Sequence, residues 1–206
     1  AHTATLAFDG KAIVVGGVGT DGRSIERYDP ATNSWTGMPS LSAPRFGHTA
    51  TLLPSGWILL AGGYVHGVVS NAVEGIDGVG GVPATLASLA VARDLHTATL
   101  LPSGKVLVAG GRDSTGTHLQ SAEIFDPASN AWTVARPMNV ARSGHAATLL
   151  ASGRVLVTGG LVPAPLASVE VYDPVSDTWT NANPLPVAVG DHQIALLPTG
   201  EVLVIG

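Results

Sequence analysis

Cysteine is absent from the 206 residues, methionine occurs twice, aromatics make up 5% and charged residues only 12%. Without cysteine there is no disulfide framework and no thiolate centre. The ten Lys and Arg, against fifteen Asp and Glu, are scattered along the chain. They form no basic stripe for a phosphate backbone and no polybasic cluster for anionic lipid, so neither nucleic acid nor a membrane is an expected partner. Gly, Ser, Thr and Pro break every apolar stretch well short of the roughly 20 residues a spanning helix needs. The first residues carry no basic start followed by an apolar block, so a targeting signal is expected to lie outside this sequence. The missing cysteine fits a secreted protein, and the expected location is extracellular or at the cell surface.

Glycine is plentiful, at 26 residues, and 45% of the chain is hydrophobic. A chain of this size buries roughly 70% of its unfolded surface and holds a core without staples. The glycines are periodic. His2, His48, His96, His145 and His192 each open a near-copy of one phrase, as in HTATLLPSGKVLVAGG, at spacings of 46, 48, 49 and 47 residues. A second phrase follows each Gly pair: SIERYDPATNSW, the poorer AVEGIDGVGGVP, SAEIFDPASNAW and SVEVYDPVSDTW. Each copy reads as four short strands. Two apolar runs are joined by a Ser-Gly or Asp-Gly turn, an alternating run ends at Asp-Pro, and a fourth strand starts at the Trp.

A Gly pair, then an aromatic with Asp, then Trp six residues after that Asp resembles the kelch repeat, and the match recurs along the whole chain. HTATLLPSGKVLVAGG is similar to the bacterial and fungal version found in galactose-oxidase-type propellers. The resemblance implies an all-β fold, a kelch β-propeller of four-stranded antiparallel blades. One domain is expected over 1–206, with repeats at about 2–47, 48–95, 96–144 and 145–191 and a partial copy at 192–206. That makes about four and a half blades. Because the sequence stops at the first Gly of a fifth pair, a larger parent propeller of six or seven blades is expected.

The spacing nominates a surface. From the first Gly of each pair to the Asp the interval is 13, 15, 16 or 14 residues, whereas from that Asp to the position of Arg45, Arg93, Arg142 and Val189 it is always 16. All length variation therefore falls in the connection between second and third strands, at Val18–Arg23, Tyr64–Ser70, Arg112–Gln120 and Leu161–Ala167. Such loops share one face of a repeat protein, often the binding face. Pro83 replaces the Trp of the other copies. A proline is tolerated at a sheet edge, so this strand should be outermost and its blade the least stable.

Three sets of residues repeat. The five histidines are read as structural, each hydrogen-bonded to a neighbouring loop, because equivalent points on packed sheets lie too far apart for one metal ion. Glu26, Glu74, Glu123 and Glu170 lie three before the Asp, on the strand face of Tyr28, Phe125 and Tyr172, and should be buried and paired with a repeated Arg or His. Trp35, Trp132 and Trp179 are structural. Arg45, Arg93 and Arg142 have two readings. Kelch substrate adaptors imply arginines that grip acidic peptide groups at the channel mouth, while recurrence in three copies fits a salt bridge with the repeated Glu. They are kept as ligand-binding candidates beside the non-repeated Asp21, Arg23, Tyr64, His66, Arg112, Asp113 and His118.

No GxSxG, HExxH or phosphate loop occurs, so no catalytic residue, metal or cofactor is assigned. The expected function is a non-enzymatic scaffold that binds a protein or glycan through the variable loops. The alternative is the propeller portion of a galactose-oxidase-like copper-radical oxidase. That resemblance implies a Tyr–Cys crosslink and Tyr and His ligands, which this segment cannot supply without cysteine.

Overall fold

The computed structural model describes residues 2–19 and 21–206, so Thr20 in the first variable loop lies outside the described residues. Among these no helix occurs, and none is therefore long and apolar enough to cross a membrane. The chain divides into two compact units, Ala1–Asp94 and Leu95–Gly206, at the junction between second and third repeats.

The first unit holds two blades. Blade 1 comprises Thr3–Leu6, Ala12–Val15, Ile25–Asp29 and Ser34–Met38. Blade 2 comprises Thr49–Leu52, Trp57–Ala61, Val73–Asp77 and Ala84–Leu86. The second unit holds blade 3, Thr97–Leu100, Val106–Ala109, Ala122–Asp126 and Ala131–Ala135. It also holds blade 4, Ala146–Leu149, Val155–Thr158, Val169–Asp173 and Thr178–Ala182, and a further hairpin, Gln193–Leu196 with Val202–Ile205. In every blade the four strands pair antiparallel in chain order. Pro83 precedes the edge strand of blade 2, as a residue without an N–H requires.

The second strands explain the apolar runs. Covered by neighbours on both faces, Val106–Ala109 is buried along its whole length, and in blade 2 Ile58–Ala61 is too. A strand buried on both sides reads as continuous rather than alternating hydrophobicity. Ile13, Val15, Ile25, Leu41, Ile58, Leu60 and Ile76 form the core of the first unit. Leu101, Leu107, Met138, Val155, Val157, Tyr172 and Trp179 anchor that of the second. Within each unit, first strands of consecutive repeats lie side by side: Thr3–Leu6 beside Thr49–Leu52, and Thr97–Leu100, Ala146–Leu149 and Gln193–Leu196 in succession.

The aromatic and Trp of each full motif are cross-strand partners, Tyr28 with Trp35, Phe125 with Trp132 and Tyr172 with Trp179. Their rings tilt against each other at 4.9 to 5.0 Å, a contact contributing about 0.5–1.5 kcal/mol beyond area burial. Trp179 is 9% exposed and its Nε1 donates to the Arg136 carbonyl at 2.8 Å, whereas Trp35 is 57% exposed. Blade 2 carries a tryptophan on the other face of its sheet. Trp57 occupies the position of Lys11 and Lys105, and its ring covers Gly75 so closely that an added Cβ would lie 2.9 Å away.

Candidate functional site

The variable connections stand on a buried polar frame. Arg142, on the link into blade 4, donates through Nη1 to the carbonyls of Gly159 (2.6 Å) and Ser168 (3.0 Å), which flank that blade's variable loop. Its Nη2 donates to Ser168 Oγ (3.0 Å) and Glu170 Oε1 (2.7 Å). Glu170 in turn accepts the backbone N–H groups of Asn139 at 2.7 Å and Val140 at 3.1 Å. Blade 2 repeats the arrangement. Arg45 donates to the Gly62 and Ala72 carbonyls and to Glu74 Oε2 at 3.1 Å, and Glu74 Oε1 accepts the Ser42 N–H. Burial pushes the Arg45 guanidinium below its usual range, opposed by the Glu74 charge.

This corrects one expectation. Arg45, Arg93 and Arg142 are 0 to 1% exposed and present no guanidinium to a ligand. Arg45 and Arg142 are committed to glutamates and to loop-base carbonyls because a buried charge is tolerable only when paired. Glu74, Glu123 and Glu170 are 0 to 3% exposed, as expected, but Glu26 is not buried. The paired arginines lie 29 positions before Glu74 and 28 before Glu170.

A second tier lies beside the first. His48 and His145 are bonded through Nε2 to Thr3 and Thr97 Oγ1 of the preceding blade, each at 2.9 Å. His192 bonds Thr158 instead, at 2.8 Å. The reason is a swap across one strand pair: Ala146 stands where Thr3 and Thr97 stand, and its cross-strand partner is Thr158 where the others have Val15 and Ala109. The hydroxyl has moved to the opposite strand and still meets the ring. That compensation is readable in the repeats but escaped the sequence analysis. Burial, the foremost cause, and the adjacent Arg45 or Arg142 push His48 and His145 down to about 3, so both are neutral. His192 is also lowered, chiefly by burial. The Nδ1 atoms of all three are buried without a partner, so a second ring proton would have nothing to bond. His96 is likewise buried, and His2 is exposed. Among the described residues no cluster of three or more His, Cys, Asp or Glu could hold a metal ion.

The Gly pairs lock this tier. The second Gly donates to the carbonyl of the residue at the arginine position of the following link, as from Gly111 to Arg142 at 2.9 Å and Gly160 to Val189 at 2.8 Å. At Gly110 a Cβ would lie 2.6 Å from the Arg142 carbonyl oxygen and 2.7 Å from the His145 ring, and φ is +62°. Only glycine fits there.

The loops above the frame differ in kind, and two of these variable-length connections contain strands. In blade 2, Tyr64–Val65 and Val68–Val69 form a hairpin over Arg45–Phe46, turning at His66 and Gly67, both at positive φ. Tyr64 stacks on Phe46 at 4.7 Å with rings nearly parallel, and His66 is exposed. In blade 3, Arg112 and His118 bridge the loop. Asp113 caps it through the N–H groups of Thr115 and Thr117 and the Thr115 hydroxyl, and these bonds hold its carboxyl below the usual range. His118 Nδ1 lies 3.0 Å from Ser143 Oγ. In blade 4, Leu161–Val162 pairs with Ala164–Pro165. Asp21 is exposed, and Arg23 is committed to the Leu41 carbonyl at 2.8 Å. The structure thus groups Tyr64 with His66, and Arg112 and Asp113 with His118. Phe46 and Ser143 complete these groups and had no repeat signal. Beside the blade 3 and 4 loops, Leu95, Gly144 and Asp191, all at positive φ, form a hydrogen-bonded chain at the rim of a depression of about 210 Å³.

The Kelch motif family model matches residues 1–42, 97–139 and 141–186, and so misses most of the degenerate second repeat. Among solved structures, the one titled "Structure of YjhT" superposes with a TM-score of 0.80 at 13% identity, covering 100% of this chain and 79% of that one. No curated protein sequence matches at a significant level. With antiparallel four-stranded blades and three motif matches over more than half its length, the chain belongs to the kelch family of β-propellers.

Proposed function

We propose that this chain is a non-catalytic binding scaffold that engages a protein or glycan through its second-to-third-strand loops. The observation that carries this reading is the contrast between what lies under the loops and what they present. Below, the same arginine, glutamate and glycine geometry recurs in blades 2 and 4. Above, blade 2 offers a stacked aromatic pair with an exposed His66, blade 3 a capped polar turn with Arg112 and His118, and blade 4 an apolar hairpin. Loops fixed at their bases lose little further freedom on binding, which lowers the ordering cost of recognition. Ser143 and His118 have nucleophile-and-base spacing, yet Ser143 is 1% exposed and out of a substrate's reach, which supports the non-catalytic reading.

The test is a glycan and peptide array screen of the protein beside two variants, Tyr64→Ala/His66→Ala and Arg112→Ala/His118→Ala. The expected result is that ligands bound by the parent are lost in at least one variant while its thermal transition is kept. Unchanged binding in both variants, or hydrogen peroxide release from sugars by copper-loaded intact protein, would overturn the reading.

A further inference from the structure

At the opposite ends of the strands, the geometry points to a second binding site: an open groove in the second unit that takes a peptide segment presenting an acidic, an aliphatic and an N–H-donating group in turn. The groove, of about 590 Å³, runs between the first hairpin turn of blade 3, at Pro102 and Ser103, and two turns of blade 4, around Ser152–Arg154 and Asp173–Val175. In a four-strand meander these turns lie at the end away from the second-to-third-strand loops. The site is therefore independent of the surface proposed above.

Repeat symmetry supplies the decisive comparison. In blades 1 and 3 a lysine at the start of the second strand closes on the third-strand aspartate, Lys11 Nζ to Asp29 Oδ2 at 2.8 Å and Lys105 Nζ to Asp126 Oδ2 at 3.0 Å. In blade 4 the corresponding residues are Arg154 and Asp173, and the pair is open. The Arg154 side chain makes one hydrogen bond among the described residues, from Nε to Ser152 Oγ at 3.4 Å. Asp173 uses Oδ1 on the N–H groups of Val175 and Ser176, and its Oδ2 has no partner there. Both side chains line the groove, so a cation and an anion with spare bonding capacity face it where those of blades 1 and 3 neutralise each other.

The walls between these groups are aliphatic: Pro102, Pro174 and Val175, the last 96% exposed. A guanidinium fork with free Nη atoms donates two parallel bonds to a carboxylate. Asp173 Oδ2 accepts a backbone N–H or an ammonium. An aliphatic side chain between them would cover Val175 and the proline rings. No aromatic ring lines the groove to stack a sugar, and this favours a peptide over a glycan.

The test titrates the labelled heptapeptide Gly-Ser-Glu-Leu-Lys-Ser-Gly into the isotope-labelled full chain, following amide shifts and fluorescence anisotropy, with maltohexaose as the comparison. Shifts confined to residues 102–103 and 151–176, with a dissociation constant of about 1 mM or below, are expected. Arg154→Lys conserves the charge but restores the closed pair of blades 1 and 3, so binding should weaken at least about tenfold at an unchanged melting temperature. Lys105→Ala should bind like the parent. Equal affinity in Arg154→Lys, shifts on the loop face, binding of maltohexaose alone, or no peptide binding up to about 10 mM would each overturn the proposal.

Discussion

Glu170 and Glu26 occupy the same repeat position in opposite environments, and replacing each by alanine tests the polar frame. Glu170 is fully buried against Arg142 and holds two backbone N–H groups of the preceding link. Its removal leaves a guanidinium at 0% exposure with only neutral acceptors, and breaking a buried pair from one side costs about 3–5 kcal/mol. At roughly 2–4 °C per kcal/mol for a chain of this length, the melting temperature should fall by about 6–20 °C. Glu26 is exposed and has no ion pair among the described residues, so Glu26→Ala should stay within about 0.5 kcal/mol of the parent. Urea unfolding followed by tryptophan emission gives both values from the midpoints, provided the slope is unchanged. Arg142→Met/Glu170→Met, which removes both charges, should cost less than the sum of its single variants. If Glu170→Ala costs under about 1 kcal/mol, or no more than Glu26→Ala, the frame does not hold the blade and the reasoning fails.

Other outcomes follow from the same geometry. His48 and His145 stay neutral in the fold down to pH about 3, whereas in the unfolded chain they charge near 6.5. The unfolded state therefore binds more protons between those limits. Stability falls as pH falls, by about 1.4 kcal/mol per unit for each ring, or about 4 kcal/mol for the two from pH 7 to pH 5. Urea midpoints at both pH values check this, and His145→Gln should remove about 2 kcal/mol of the difference. Thr158→Ala should cost about 1–2 kcal/mol by orphaning His192, and adding Ala146→Thr should restore most of it, as denaturant midpoints will report. Gly110→Ala places a methyl group against the Arg142 carbonyl and the His145 ring at a left-handed φ, and should lower stability by about 3 kcal/mol or more in the same assay.

The blades were legible because each strand follows one simple rule: apolar where it is covered on both faces, broken by a Gly turn, edged by a Trp or a Pro. Glu74 and Glu170 were legible as buried acids because strand alternation put them on the face of Ile76 and Tyr172. Arginine was harder. Residue type and spacing place Arg45 and Arg142 near the loops equally well in either reading, and only coordinates show the side chain turned inward to the loop-base carbonyls. Glu26 shows the limit of repeat logic, since it holds the same repeat position as Glu170 and yet is exposed. Phe46 and Ser143 had no signal at all, because each meets its partner through a loop whose path the repeat does not encode. Trp57 was visible only as a departure from the lysine position, and its role over Gly75 depends on cross-strand register.

The glycine doublet of one repeat is completed by the histidine and the link of the next, so the sequence unit and the mechanical unit are out of phase. Splicing out a repeat at its histidine would cut through a finished joint and leave a narrow groove with no ring to fill it. A cut inside a second-to-third-strand loop would pass through no such joint. Engineered shuffling, and any natural shortening or lengthening of the array, should therefore find its tolerated break points in the loops and not at the boundaries where the text repeats.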